Sequence, residues 1–150
     1  MAVAQTIRVL VVDDHSLLRS GIAAVIGTAK DVLVVGEAKN GQEAIESFRA
    51  HRPDVTLMDV QIPVMNGIDA FVAVRKEFAN ARFIVLTTYD GDVQALRALK
   101  VGATGYLLKG MLQEELVDTI RAIHAGRRKI PSEIAAGIAE RSRRRAYPRD

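Results

Sequence analysis

Ile7-Arg8-Val9-Leu10-Val11-Val12-Asp13-Asp14 is a short run, rich in β-branched residues, that ends on two carboxylates. A run this short and this apolar reads as a strand buried on both faces, as in a parallel sheet. The pattern returns at Val32 to Val35, Val55 to Met58, Phe83 to Leu86 and Gly105 to Leu108. Amphipathic stretches separate these runs. Ser16 is expected to cap a first helix carrying Leu17, Leu18, Ile22, Val25 and Ile26, stopped by Gly27. Asn40-Gly41 reads as a turn before a second helix marked by Ala44, Ile45 and Phe48 and closed by Arg52-Pro53. A loop with Pro63 and Asn66-Gly67 leads to a third helix bearing Phe71, Val74 and Phe78. A fourth spans Val93 to Leu99 and ends at Gly102, and a fifth runs from Met111 to Ala125. Five strands, each followed by a helix, imply an α/β fold: a doubly wound parallel sheet covered on both faces. Such sheets place their sites at the carboxyl ends of the strands. The polar residues at those ends are Asp13-Asp14, Asp59, Thr87-Thr88 and Lys109.

The chain has 150 residues, enough for one domain with a real core. It contains no cysteine, which removes disulfide scaffolds, thiolate metal sites and cysteine nucleophiles together. His15, His51 and His124 lie far apart and match no zinc-ligand spacing. The longest apolar runs, Ile22 to Ile26 and Ala70 to Val74, are far too short to span a membrane, and the amino terminus resembles no export signal. A cytoplasmic protein without a membrane partner is expected. The formal net charge of +3 is unevenly divided. Residues 1–120 balance at −3 and residues 121–150 at +6, so the basic character belongs to the tail. Gly126 to Pro131 breaks the α/β pattern, and Ser132 opens a short helical stretch with Ile134 and Ile138. A basic linker or solvated tail is the expectation there.

The strand ends suggest a chemistry. Three carboxylates from adjacent strands repel one another by roughly 1 kcal/mol per pair at about 4 Å in water, and by more in a drier pocket. Such a cluster calls for a cation, and oxygen ligands without His or Cys suit Mg²⁺. Lys109 adds a fixed positive charge and Thr87 a hydroxyl. Carboxylates, a divalent metal, a lysine and a hydroxyl are the parts needed for phosphoryl transfer. Asp59 stands alone at the end of the central strand and suits the role of acceptor, through an acyl phosphate. Asp13 and Asp14 are better placed to hold metal.

Asp13-Asp14, Leu57-Met58-Asp59 followed by Pro63 and Met65-Asn66-Gly67, Thr87, and Gly105-Tyr106-Leu107-Leu108-Lys109 together resemble the receiver domain of two-component response regulators. The wording of Val11-Val12-Asp13-Asp14-His15, Leu86-Thr87-Thr88-Tyr89-Asp90 and Tyr106-Leu107-Leu108-Lys109-Gly110 is similar to the NarL/FixJ type. The resemblance covers residues 6–126 and implies a flavodoxin- or CheY-like sheet of strand order 2-1-3-4-5. It implies Asp59 as phosphoacceptor and Asp13, Asp14, Asp59 and the backbone carbonyl of Gln61 as Mg²⁺ ligands. It also implies Lys109 as partner of the acidic site and phosphoryl group, Thr87 and Tyr106 as switch residues, and Gln61 and Tyr89 as positions that tune dephosphorylation. One departure is Gly110, where many receivers carry a cis-proline after the lysine.

The implied partners are a cognate histidine kinase and a second copy on phosphorylation, through the first and fifth helices or the face of the fourth helix, fifth strand and fifth helix. Regulators of this type carry a helix-turn-helix output domain. Residues 127–150 are then a linker toward a DNA-binding domain absent from this chain, DNA being a partner only through it. A stand-alone receiver acting through protein contacts is the alternative. The chain is expected to be a phosphoacceptor switch, with possible autodephosphorylation, and not a turnover enzyme. An aspartate-nucleophile phosphatase needs a second acid two residues after the nucleophile, and Gln61 stands there. A receiver-like module acting only by contact has no need of the full acidic set with Lys109.

Overall fold

A computed structural model of the chain describes residues 6–62, 65–88, 92–132, 134 and 136. Strands β1 (Ile7–Val12), β2 (Val32–Ala38), β3 (Val55–Asp59), β4 (Phe83–Thr87) and β5 (Gly105–Leu108) alternate with helices α1 (Ser16–Ile26), α2 (Gly41–His51), α3 (Gly67–Glu77), α4 (Val93–Lys100) and α5 (Leu112–His124). A 3₁₀ turn, Lys109–Met111, joins β5 to α5. All strand pairs are parallel, in the order β2-β1-β3-β4-β5. The doubly wound sheet and its strand order match the expectation.

Alternate residues of each strand point to opposite faces, and the two sets build two cores. Leu10, Val12, Met58, Phe83, Val85 and Tyr106 pack with α2, α3 and α4. Val9, Val11, Leu57, Ile84, Leu86 and Leu107 pack with α1 and α5. β1, β3 and β4 are buried on both sides almost throughout, which is why they read as continuous apolar runs.

The helix starts correct two local readings. Ser16 is the first helical residue, and His15 takes the N-cap position without a side-chain capping bond. The cause is Asp13, whose Oδ1 accepts the His15 N–H at 2.8 Å and turns the chain one residue early. Asn40-Gly41 is a helix cap more than a turn, because the Asn40 side chain accepts the Glu43 N–H, and Asn66 caps α3 in the same way through the Asp69 N–H. Arg52 closes α2 in the left-handed region (φ 46°), its guanidinium 4.1 Å from the centre of the Phe78 ring. β2 runs to Ala38, beyond the expected Val35.

Register sets the site. Val12 pairs with Met58, Asp59 with Leu86, and Thr87 with Leu108. Asp13, Asp59, Thr87 and Lys109 therefore end up side by side along one rim, at the carboxyl ends of four neighbouring strands.

Candidate functional site

Asp13 is fully buried, whereas Asp14 beside it is partly open to solvent. The backbone of Asp13 is fixed on both sides: its N–H donates to the Ala38 carbonyl at 3.0 Å, and its carbonyl accepts Arg19 Nη1 at 2.6 Å. Asp59, the last residue of β3, is 4% exposed. Its Oδ1 accepts the Gln61 N–H at 2.9 Å and its Oδ2 accepts Lys109 Nζ at 2.8 Å. Lys109 also reaches Asp13 Oδ2 at 3.3 Å, so one ammonium bridges carboxylates from two strands. Gly67 allows α3 to begin this close, since a Cβ there would lie 2.8 Å from the Asp59 carbonyl oxygen.

One ammonium is too little for this much negative charge. Asp13 Oδ2 is buried and makes no hydrogen bond, its contact with Lys109 being an ion pair only. Ligand atoms of Asp13, Asp14, His15 and Asp59 lie within 4.8 Å of one another. A buried, unbonded carboxylate oxygen among other hard oxygens fits a small divalent cation. The group therefore could hold a metal ion. The exposed His15 ring is drawn in as well, with Nδ1 at 3.2 Å from Asp13 and 3.0 Å from Asp14.

Burial pushes the Asp59 carboxyl above the usual range. Hydrogen bonds from Lys109 and the Gln61 N–H pull it back, and the charge of Asp13 adds to the rise. Burial alone pulls the Lys109 ammonium down, but the bond to Asp59 and the charges of Asp59 and Asp13 outweigh it and hold it above its ordinary value. A charged Lys109 faces a carboxylate short of counter-charge, because its one ammonium serves both Asp59 and Asp13.

Of the residues singled out in the sequence, the fold brings Asp13, Asp14, Asp59 and Lys109 into one cluster. Thr87 is buried at the end of β4, one residue past the partner of Asp59. Tyr106 is buried on β5, on the side of the sheet facing α4. Gln61 turns its side chain away from Asp59, its Nε2 donating to Asp92 Oδ2 at 3.1 Å. Tyr89 and Pro63 lie outside the described residues.

Asp92 joins the site through Gln61. It is buried, caps α4 by accepting the Gln94 and Ala95 N–H groups, and so links that cap to the residue gripping Asp59. Its signal in the sequence was an acid just ahead of an apolar-periodic stretch, which is the ordinary mark of a cap. Nothing in the sequence shows the tie to Gln61. Beside the cluster a groove of about 550 Å³ opens between α1 and the start of α5, lined in part by Leu17, Leu18, Val25, Lys109 and Leu112.

The sequence profile of the response regulator receiver domain matches residues 9–121. Response regulator UvrY of Escherichia coli is 38% identical over 133 residues, covering 89% of this chain and 61% of the relative. Response regulator GacA of Pseudomonas viridiflava is 38% identical over 136 residues, covering 91% of this chain and 64% of the relative. The chain thus spans about three-fifths of the length of these relatives. A two-component response regulator of the LuxR family from Aurantimonas sp. SI85-9A1 superposes with a TM-score of 0.82 at 38% identity, over 92% of this chain and 99% of that one. The receiver domain of the putative response regulator NarL from Mycobacterium tuberculosis superposes with a TM-score of 0.68 at 35% identity, over 78% and 98% of the two chains. With the sheet order, the acidic cluster and these likenesses together, the chain belongs to the response regulator receiver domain family, in its LuxR or NarL/FixJ-type branch.

Proposed function

We propose that this receiver takes a phosphoryl group from a histidine kinase onto Asp59 and changes conformation as a result. The observation that carries this reading is the grip on Asp59: one oxygen on the Gln61 N–H, the other on Lys109, with the unbonded Asp13 oxygen alongside. A carboxylate oxygen of Asp59 attacks phosphorus, a P–O bond forms, and the P–N bond of the donor phosphohistidine breaks. The departing imidazole nitrogen takes up a proton from solvent. Lys109 neutralises charge on the transferred oxygens, and burial of Asp59 keeps that interaction strong. Asp13 and Asp14, with Asp59 and the Gln61 carbonyl, would hold Mg²⁺, which supplies charge neutralisation on the phosphoryl oxygens when bound. Thr87 serves as a hydroxyl donor to the acyl phosphate, and Tyr106 follows it by a change of rotamer. Gln61 and Tyr89 set the lifetime of the phosphorylated state. The chain is a phosphoacceptor switch and not a turnover enzyme.

The output reading rests on the relatives. They are longer than this chain, and one at 32% identity, from Bacillus subtilis, is described as a transcriptional regulatory protein. We therefore favour control of transcription through a helix-turn-helix domain following residues 127–150, over a stand-alone receiver. Phosphorylation would promote pairing of two copies, and the open groove beside Leu17, which is 85% exposed, favours the α1–α5 face for it. No described helix is long and apolar enough to cross a membrane. Acetyl phosphate with Mg²⁺ should add one alkali-labile phosphoryl group by intact mass, and Asp59→Asn should abolish it. Equal labelling of the variant would remove Asp59 from the role.

A further inference from the structure

The chain does not leave the domain where α5 ends. Gly126, at φ +87°, terminates α5 in the left-handed conformation. The Arg127 N–H returns to the Ala122 carbonyl and the Gly126 N–H to that of Ile123, both at 3.0 Å. That reversal sends the following residues along the outer edge of β5, the last strand of the sheet among the described residues. The Lys129 N–H donates to the Thr104 carbonyl at 2.9 Å, and the Lys129 carbonyl accepts the Tyr106 N–H at 3.0 Å. Lys129 thus forms a single parallel bridge to Gly105.

The segment then changes sides. α5 packs on the face of the sheet that holds Ile84, Leu86 and Leu107. Ile130 and Ile134 join the opposite core, the one containing Leu96, Leu99, Ala103 and Tyr106. Ile134 is 9% exposed, so the strap closes an edge that would otherwise invite strand pairing and also covers apolar surface next to α4. Its hold is slight beside that of the strands, one bridge against four paired positions between β4 and β5.

We propose that the edge of β5 is a docking site for the chain's own strap, held through Lys129, Ile130 and Ile134, and that its occupancy is coupled to the state of Asp59. Phosphorylation then loosens the strap and frees the edge. The coupling rests on the phosphoacceptor reading above. The mechanical link is β5 itself, only four residues long. Its Tyr106 N–H holds the strap, its Leu108 pairs with Thr87, and the next residue, Lys109, holds Asp59. Any rearrangement that moves Lys109 toward an incoming phosphoryl group and repacks Tyr106 disturbs both attachments of the strap together. A ligand shifts such an equilibrium only through a difference in its affinity for the two states, and the effect is reciprocal.

Amide exchange on the full chain, with and without beryllofluoride and Mg²⁺, tests this. Bound beryllofluoride, followed by its fluorine NMR signal, should speed exchange at the Tyr106 and Lys129 amides at least about tenfold, while Val85 and Leu86 in β4 keep their protection. Ile134→Ala, which weakens the strap outside the acidic site, should tighten beryllofluoride binding by about three- to tenfold through reciprocity. Saturated beryllofluoride with unchanged or slower exchange at Tyr106 and Lys129, or unaltered affinity in Ile134→Ala, overturns the coupling and leaves the phosphoacceptor reading standing. Failure of beryllofluoride to bind overturns that reading and the coupling with it. Rapid exchange at Lys129 before any addition overturns the docking itself.

Discussion

Two carboxylate–cation contacts of nearly equal length stand at opposite ends of the sheet. At the carboxyl ends of the strands, Lys109 Nζ lies 2.8 Å from Asp59. At the amino ends, Arg121 meets Asp31 through two bonds of 2.7 and 2.9 Å. By geometry the second is the better ion pair, since a guanidinium fork grips both carboxylate oxygens. Environment reverses the ranking of consequence. Asp59 is buried beside a second buried acid and pushed upward, whereas Asp31 is partly open to solvent and is drawn down, chiefly by its hydrogen bonds from Arg121. An exposed pair is screened by water and salt and contributes little. A buried cluster short of positive charge is unfinished, and what completes it is a ligand.

The largest expected contrast comes from removing each cation. Lys109→Ala leaves Asp13 and Asp59 facing each other without their shared ammonium. Labelling by acetyl phosphate should slow about 100-fold or more, the scale seen when one preorganised charge-stabilising donor is lost. Arg121→Ala should label at the wild-type rate. Time courses by intact mass decide it, and equal rates in the two variants would break the distinction between the two ends of the sheet.

Next is the response to metal. Mg²⁺ at ten times its dissociation constant should stabilise the folded chain by about 1.4 kcal/mol, seen as a rise in Tm. Asp14→Ala should lose most of that rise and slow phosphorylation, while Asp31→Asn should keep both. Asp14 is the informative target because it is partly open, so its removal leaves the buried framework intact. A full Mg²⁺ response in Asp14→Ala would place the cation elsewhere.

The amount of this legible in the sequence follows from where the information is stored. β1, β3, β4 and β5 could be read directly because strands buried on both faces are nearly continuous apolar runs, and a charged or hydroxyl residue marks where each run ends. β2 was cut short at Val35 because Gly36 and Glu37 break the apolar run, although the backbone ladder continues through Glu37 and Ala38 opposite Val11 and Val12. Asp13, Asp59 and Lys109 were legible as a set because a parallel sheet aligns all its strand ends on one rim. The tie of Asp92 to Gln61 and the strap were not. Each depends on a contact between distant segments or on which way a side chain turns, and neither leaves a periodic trace. Ile134 illustrates the limit: in sequence it belongs to a basic tail, and in the fold it completes the core beside α4.

The pH dependence of stability separates the two acids by sign. Asp59 is raised in the folded chain, so its favourable contribution is complete below the ordinary carboxylate pKa and is lost as pH rises through the folded value. At neutral pH without metal, the ionised Asp59 therefore detracts from stability. Asp59→Asn should raise the Tm of chelator-treated protein at pH 7, and the gain should shrink toward acid. A gain that persists unchanged below the ordinary carboxylate pKa would show that packing, and not charge, is responsible.

The smallest effect belongs to Asp31, and its sign is opposite. Its pKa is lowered in the folded chain by the bonds from Arg121, so the stability it contributes is present above the ordinary carboxylate value and lost as pH falls through the folded one. Asp31→Asn should lower Tm slightly at neutral pH, by an amount that salt reduces and acid removes. Phosphorylation should be untouched, because Asp31 precedes β2 at the far rim and Arg121 makes no contact with the acidic cluster. The two Asn variants measured together form the decisive pair: across one titration, Asp59→Asn should gain stability over wild type where Asp31→Asn loses it. Curves that move in the same direction would mean that burial beside a second acid does not govern what Asp59 does.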